Sequence, residues 1–219
     1  MRKADIVFAV TEADAAHFRE IGCRRVLLMP SSHQDDEVVS KPSCLPQETG
    51  IELPPFALYH ADLSVPENVK AVDFLAKNIF GQTDCRFVVA GRNPSKAMAD
   101  NLSRFPNVEL VPNPDNSRMH GLISDAQVQI MVTNLPVGLK LKLLNSLYAG
   151  RHCLVNSAMV AGTRLGDVCT VADTPQDFLS ALNRLMHTPF TEKDIAERRR
   201  LLGDLYSNQA NAQILINCL

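Results

Sequence analysis

The sequence contains no tryptophan, only 5% aromatic residues and no marked excess of either charge. Its 22 Lys and Arg against 24 Asp and Glu leave a formal net charge of −2, so it lacks the basic surface that binds nucleic acid. No apolar run approaches the roughly 18 residues that a membrane span requires. The first apolar stretch also ends too early for a signal peptide. We therefore expect a cytoplasmic protein with no nucleic-acid partner and no membrane span.

Metal and nucleophile motifs are also missing. The six cysteines and six histidines are dispersed, and neither a CxxC nor an HxxxH pair occurs. This spacing argues against a structural zinc site and against a disulfide framework, so we expect no bound metal. No Ser–His–Asp or Cys–His arrangement can be assigned from residue order alone, which leaves the catalytic residues unknown. The phosphate-binding patterns GxxxxGK[ST] and GxGxxG are absent, which disfavours a mononucleotide kinase or a dinucleotide oxidoreductase.

Short apolar runs alternate with helical patterns along the whole chain. Most of the runs are continuous rather than alternating, as is typical of strands buried on both faces of a parallel sheet. This order predicts βαβ units and an α/β fold with a doubly wound, Rossmann-like parallel sheet. The predicted strands are 6–10, 25–29, 56–60, 87–90, 108–111, 128–132, 152–155 and 168–171. The predicted helices include 66–80, 139–149, 175–186, 192–206 and 208–218.

Local signals predict how several helices begin and end. Ser64 and Glu67 have the spacing of a capping box at the start of helix 66–80. Gly150 follows helix 139–149, where glycine commonly ends a helix. The arginine run 198–200 lies in a helical pattern, and a solvated helix face is a better interpretation of it than an anion site.

One stretch interrupts the alternation of strands and helices. Residues 31–55 contain four prolines, Gly50 and many polar residues, with little apolar periodicity. They are typical of a linker. We therefore predict a βαβ piece at 1–35, a linker at 36–54, and a Rossmann-like domain with terminal helices at 55–219.

Ligands of an open parallel sheet bind at the carboxyl ends of its strands, where helix N-termini present free N–H groups. Four loops qualify: 59–62, 91–94, 112–117 and 134–138. In the third, Asn116 or Ser117 is expected to cap the next helix. In the fourth, Gly138 allows close approach of a phosphate to the backbone.

The helix after Gly138 carries Lys142 and Asn145 three residues apart, which places them on one helix face. There they could contact a diphosphate and a ribose hydroxyl. The alternative is that both are solvated polar residues of an amphipathic helix.

Several segments resemble the C-terminal, donor-binding lobe of GT-B glycosyltransferases of the group 1 (family 4-like) type. They are FALYHADLSVPENVKAVDFL, FVVAGRNPS and VGLKLKLLNSLYAGRHCLVNSAMVAGT. The preceding segment ADIVFAVTEADAAHFREIGCRRVLLMP resembles the last strand, helix and strand of the family's N-terminal lobe. Together they cover nearly the whole chain.

The resemblance implies a glycosyltransferase that binds a nucleotide-diphosphate sugar as substrate, without a cofactor or metal, in the synthesis of surface polysaccharide or glycoconjugates. Lys142 is then the leading side-chain cation for the diphosphate, with Arg92 and Lys140 as lesser candidates. The implied donor-binding residues are His60, Asp62, Arg92, Asn113, Gly138, Leu139, Lys142 and Asn145.

The sequence also departs from the family. Two acidic residues of the family would fall at Val137 and Asn145, and its Arg and Lys pair is replaced by Asp62 and, approximately, Asn68. The acceptor lobe of the family would precede Met1. The resemblance therefore predicts a fragment that is inactive alone and that associates with a separate acceptor lobe or with itself.

Two alternatives stay open. One is a non-catalytic, degenerate protein that binds a nucleotide sugar weakly, or binds only a partner. The other is a sugar-nucleotide epimerase, which shares the lobe but not these motifs.

Overall fold

The computed structural model describes residues 4–33, 41–42, 54–136 and 138–218. Most of the predicted linker, 36–54, lies outside these residues, as does Val137. The predicted domain boundaries therefore stay predictions.

A six-stranded, fully parallel sheet forms the centre of the molecule. Its order is β5-β4-β3-β6-β7-β8, so the direction of winding reverses between β3 and β6. This confirms the predicted doubly wound sheet and places its topological switch point at the ends of those two strands. The strands are β3 (Phe56–Asp62), β4 (Arg86–Arg92), β5 (Val108–Pro112), β6 (Val128–Met131), β7 (His152–Val155) and β8 (Thr170–Val171).

A second, two-stranded parallel sheet lies near the N-terminus. We call residues 4–30 the N-terminal unit, which consists of β1 (Val7–Ala9), α1 (Glu12–Glu20) and β2 (Val26–Leu28). All eight predicted strands are therefore present, with ends displaced by at most two residues. Displacements of two residues occur at β3, β4 and β8; at β8 the strand starts late because residues 165–168 form a 3₁₀ turn instead of extended chain.

Helices cover both faces of the large sheet, and its strands are mostly buried. Within the described residues, no helix is both long enough and apolar enough to span a membrane. The helices are α2 (Pro66–Asn78), α3 (Lys96–Leu102), α4 (Asn116–Asp125), α5 (Leu141–Ala149), α6 (Ser157–Val160), α7 (Pro175–Met186), α8 (Glu192–Tyr206) and α9 (Asn208–Ile216).

The predicted capping box at the start of α2 is wrong. The N-cap is Val65, which makes no side-chain cap bond. The Ser64 hydroxyl and amide both donate to Asp62 Oδ1, at 2.7 and 3.0 Å, and the Glu67 carboxylate instead accepts from the Thr133 hydroxyl. Pro66 at the first helical position already removes one amide that would need a cap.

Two other helix starts differ from the prediction. Helix α5 begins at Leu141 rather than at residue 139. Helix α4 is capped by Asp115, whose Oδ1 accepts from the Arg118 amide at 2.7 Å, and not by the two residues that follow it. The cap at the end of α5 is Gly150, as predicted.

The predicted solvated arginine face is wrong for Arg198, which is only 2% exposed. Its guanidinium donates to the carbonyls of Gly150 and Arg151 at 2.7 Å and to that of Leu147 at 3.3 Å. It therefore satisfies carbonyls at and just beyond the C-terminus of α5, where a positive charge also complements the helix dipole.

A line of polar contacts, which we call the terminal seam, joins residues 30–33 to residues 206–211. His33 forms an isolated bridge with Ser207, and the Asn211 amide donates to the Pro30 carbonyl at 2.6 Å and to Ser32 Oγ at 3.0 Å. The seam holds the segment after β2 against the start of α9.

Candidate functional site

The carboxyl ends of β3, β4 and β5 meet at one corner of the sheet. Asp62 pairs with Arg92 in the strand register, and the Asn113 amide donates to the Gly91 carbonyl at 2.7 Å. A Cβ on Gly91 would lie 1.8 Å from the Ala61 carbonyl oxygen, so only glycine allows this approach. The structure thus brings Asp62, Arg92 and Asn113 together.

Lys142, on the first turn of α5, reaches across to this corner. Its Nζ donates to Asn68 Oδ1 at 2.9 Å and to the Tyr59 hydroxyl at 3.1 Å. Burial lowers the Lys142 pKa to about 8, against the opposing effect of the Glu67 carboxylate. Helix α5 is thereby tied to the ends of β3 and α2 through an ammonium group.

Tyr59 lies in the predicted ligand loop 59–62, but the sequence analysis gave its side chain no role in this cluster. Its side chain is fully buried in β3, its hydroxyl donates to Asn68 Oδ1 at 3.0 Å, and burial raises its pKa. The sequence did indicate a polar contact for this residue, because a tyrosine in an otherwise apolar buried strand places its hydroxyl beside a polar partner.

His60 lies beneath α5 and is 7% exposed. Its Nε2 is 2.8 Å from Ser146 Oγ, and burial, helped by the charge of Lys142, lowers its pKa to about 4. The ring is therefore neutral near pH 7, and its contact with Ser146 helps to orient α5.

Asp62 carries a negative charge at the end of β3. Its carboxylate accepts two hydrogen bonds from Ser64, and these bonds lower its pKa. Its backbone carbonyl accepts from Asn68 Nδ2 at 2.9 Å. Asn68 thus holds both the end of β3 and the Lys142 ammonium.

The N-terminus of α5 lacks a side-chain cap bond. Gly138 has a φ of +72°, and a Cβ placed there would meet nothing within 4 Å. Leu139 is half-buried, and Lys140 is the N-cap without a side-chain cap bond. An uncapped first turn presents amide N–H groups and a positive dipole end to an anion.

Asn145 does not share the environment of Lys142. Its side chain is exposed, and its Oδ1 lies 2.9 Å from His33 Nε2, in the terminal seam. The spacing predicted that Lys142 and Asn145 share one helix face and one ligand. In the structure they have different partners, because Lys142 contacts Tyr59 of β3 and Asn145 contacts His33.

The site as a whole combines one ammonium group, a helix N-terminus without a side-chain cap and hydrogen-bonding groups at a topological switch point. These groups are chemically suited to contact a phosphate or diphosphate anion. Among the described residues, no group of three or more His, Cys, Asp or Glu side chains is arranged to hold a metal ion.

Comparison with known proteins identifies solved structures that share this fold. No protein-family model matches the sequence, and no curated protein matches it at sequence level. Solved structures do match. Sucrose-phosphate synthase from Thermosynechococcus elongatus superposes on 99% of this chain with a TM-score of 0.72 and 14% identity. TarM superposes on 99% of this chain with a TM-score of 0.71 and 11% identity. Anabaena HepE in complex with UDP and glucose superposes on 99% of it with a TM-score of 0.70 and 13% identity.

The chain shares the fold of one part of these GT-B glycosyltransferase structures. Its six-stranded sheet corresponds to the Rossmann-like GT-B lobe, as the resemblance predicted. The chain spans 58% of the synthase, 43% of TarM and 63% of HepE. At 11–14% identity, these GT-B structures show a common fold and leave the activity of this chain to be tested.

Proposed function

We propose that this chain is the donor-binding lobe of a glycosyltransferase that uses a nucleotide-diphosphate sugar, in the synthesis of surface polysaccharide or glycoconjugates in the cytoplasm. The observation that carries the proposal is the position of Lys142. Its ammonium group is held by Tyr59 and Asn68 at the switch point, on the first turn of an uncapped helix.

This arrangement fits the chemistry of the leaving group. When a glycosyl group departs from a nucleotide diphosphate, negative charge develops on the diphosphate, and preorganised donors lower the barrier by stabilising it. Lys142 and the amides that follow Gly138 are the donors in our proposal, and neither a metal nor a cofactor has a role in it. Support for UDP as the first probe comes from the HepE structure, which contains UDP.

The test is calorimetric titration of UDP and GDP into the wild type and three variants. Lys142→Ala removes a charge-assisted contact and is expected to weaken binding about 10- to 150-fold. Gly138→Val forces a branched side chain into a left-handed backbone conformation and is expected to weaken binding at least as much. Lys193→Ala, on the exposed first turn of α8, is the control and should bind as the wild type does.

Two results would contradict the proposal. If Lys142→Ala binds either diphosphate as tightly as the wild type, the phosphate lies elsewhere. If excess chelator abolishes binding, the diphosphate depends on a metal that the proposal does not include.

We also propose that transfer requires an acceptor lobe supplied by another part of the protein or by a second chain. Proximity of donor and acceptor provides much of the rate of a two-substrate reaction. The 219-residue chain alone is then expected to show no sugar transfer. Turnover of a nucleotide sugar by this chain would contradict that expectation.

A non-catalytic role is the second candidate, and Asp62 favours it. The lowered pKa of its carboxylate favours a negative charge at the end of the strand whose backbone Asn68 contacts, and that charge opposes an incoming phosphate. In addition, Asn145 is already engaged with His33. Absence of diphosphate binding at millimolar concentration would favour this second candidate.

A further inference from the structure

A cavity of about 260 Å³ opens at the amino ends of β7 and β8, between α7 and α8. It lies at the opposite end of the sheet from Lys142, and none of the donor-binding residues predicted from the sequence lines it. Two of the residues that line it are Cys153 and Cys169. The cavity therefore exposes two cysteines to a small molecule at a place where the proposed function has no use for them.

Cys153 and Cys169 lie opposite each other on adjacent parallel strands. Leu154 pairs with Thr170 in the register of β7 and β8, and each cysteine immediately precedes one of these two residues. Neighbouring strands lie about 4.8 Å apart, and disulfides form between residues whose Cα atoms are about 4.4 to 6.8 Å apart. Both thiols are free in the structure, and they share a hydrogen bond. The fold thus holds the two sulfur atoms close enough for a covalent link.

The buried guanidinium of Arg198 lies beside this pair. Its Nη2 donates to the Arg151 carbonyl oxygen at 2.7 Å, and Cys153 Sγ lies 3.8 Å from the same oxygen. The hydrogen bond from Cys169 and the charge of Arg198 lower the pKa of Cys153 against the effect of burial, whereas the same bond and burial raise the pKa of Cys169. A cysteine with a lowered pKa beside a positive charge has the thiolate character that reacts with oxidants.

The walls of the cavity favour a small and neutral oxidant. Its charged lining residues are of both signs, so the walls do not select an anion; they are Asp167, Arg184, Asp194, Glu197 and Arg198. Cys153 is only 2% exposed and Cys169 is half-buried, so a bulky disulfide has little access to either sulfur. Hydrogen peroxide is neutral and little larger than water, which needs a cavity of only about 15 Å³.

We propose that Cys153 and Cys169 are a redox-active dithiol pair, which hydrogen peroxide converts to a disulfide and a dithiol reductant restores. In the first step the Cys153 thiolate attacks the peroxide and the O–O bond breaks. Cys153 becomes a sulfenic acid, and the leaving hydroxide takes up the proton that Cys153 released. In the second step the Cys169 sulfur attacks the Cys153 sulfur, an S–S bond forms, and the S–O bond breaks as hydroxide leaves with the Cys169 proton. The two thiols lose two electrons, which the peroxide gains as it becomes two water molecules.

The disulfide fixes one edge of the large sheet. Strand β8 is the edge strand, and it pairs with β7 through two residues. A covalent link one residue before this pairing closes the segment 153–169, which restricts the unfolded chain. Such a reversible pair differs from the disulfide framework that the cysteine spacing disfavours. It also does not depend on the proposed function.

The test exposes the folded 219-residue chain to hydrogen peroxide, blocks the remaining thiols with N-ethylmaleimide in denaturant, and maps the products by tryptic digestion and mass spectrometry. Cleavage after Arg151, Arg164 and Arg184 places the two cysteines on separate peptides, 152–164 and 165–184. A disulfide is therefore read directly as a covalent link between these peptides.

Three variants accompany the wild type. Cys153→Ala and Cys169→Ala each remove one partner of the pair. Cys85→Ala is the matched control, because Cys85 is a half-buried free thiol like Cys169 but lies just before β4.

We expect the two peptides to become linked, with a mass two hydrogen atoms below their sum, and dithiothreitol to separate them. The Cys153 thiol should be lost about tenfold faster than the Cys85 thiol, because burial raises the pKa of Cys85 to about 11 and leaves little thiolate. Cys169→Ala should still lose its Cys153 thiol to peroxide, whereas Cys153→Ala should keep its Cys169 thiol. Cys85→Ala should form the link as the wild type does.

The link should also raise the melting temperature of the wild type by about 5 to 10 °C, reversibly with dithiothreitol. Cys169→Ala should show no such reversible shift. A link without any change in melting temperature would show that the disulfide does not fix the edge strand.

Other results would overturn the pair itself. One is the absence of a link between the two peptides in peroxide-treated wild type. Another is a link that forms as readily in urea-unfolded protein, which would mean that the fold does not bring the two cysteines together. If an alanine variant does not fold, as judged by thermal melting, the peptide map of the wild type, folded and in urea, still decides between these results.

Discussion

The β1–α1–β2 unit and the β3–α2–β4 unit share one local pattern, two parallel strands joined by a helix, but differ in how they are stabilised. Four consecutive residues of β3 and five of β4 are buried, whereas β1 and β2 together bury only Ala9. The strands of the large sheet are stabilised by apolar burial on both faces. The N-terminal unit lacks that burial, and the terminal seam adds polar contacts at its C-terminal end.

The polar contacts of the large domain are also more deeply buried than those of the terminal seam. Arg198 and His60 make their hydrogen bonds inside the large domain, at 2% and 7% exposure. The contacts of Ser32 and Asn211 in the terminal seam are half-buried or exposed. Because an unsatisfied buried group costs far more than an exposed one, loss of a single bond should matter more in the large domain.

The largest difference is expected between two leucines. Leu58→Ala in β3 removes a fully buried side chain and should lower the free energy of unfolding by about 4 kcal/mol, whereas Leu27→Ala in half-buried β2 should cost about 1 kcal/mol. Urea denaturation of both variants measures this. Equal losses would show that the N-terminal unit is as tightly packed as the large sheet.

The next effect concerns the buried guanidinium. Arg198→Met leaves the carbonyls of Leu147, Gly150 and Arg151 without this donor, and we expect a loss of about 3 kcal/mol. Arg200→Ala, an exposed change two residues along the same helix, should stay within about 0.5 kcal/mol of the wild type. A similar loss for both would mean that Arg198 acts through general helix charge and not through these carbonyls.

Acid should weaken the large domain through His60. Its pKa is about 4 in the folded protein and about 6.5 in the unfolded chain, so the unfolded state binds more protons between these values. Stability is therefore lost as pH falls from 6.5 towards 4, by about 2 to 3 kcal/mol at pH 4.5. Urea titrations at pH 7.5, 5.5 and 4.5 should show this loss reduced in His60→Gln. An unchanged pH dependence in that variant would assign the acid sensitivity to other groups.

The smallest effect is expected in the terminal seam. Asn211→Ala removes the bonds to the Pro30 carbonyl and to Ser32 Oγ, at a cost of about 1 kcal/mol. Amide hydrogen exchange should become faster in β1 and β2 and stay unchanged in β3 and β4. Gln213→Ala, whose side-chain amide donates to Asn217 Oδ1 at the end of α9 at 2.8 Å, is the control. Uniformly faster exchange would mean that both regions unfold together.

The succession of strands and helices along the chain and the class of fold followed from the amino-acid sequence alone. Continuous apolar runs such as 56–60 and 87–90 have to be buried on both faces, and their alternation with helices leaves few topologies besides a doubly wound sheet. Gly138 and Lys142 were also predicted from the sequence, since strand ends and helix starts define where an anion can bind, and their role in binding stays a prediction.

Only the tertiary structure decided which side chains meet. Glu67 and Thr133 are 66 residues apart, Lys142 and Tyr59 are 83 apart, and Arg198 and Leu147 are 51 apart. Local signals assigned Glu67 to a capping box and Arg198 to a solvated face, because spacing within a helix says nothing about partners on other elements. Hydrogen bonds act over about 3 Å in space, whereas periodicity reports only neighbours along the chain.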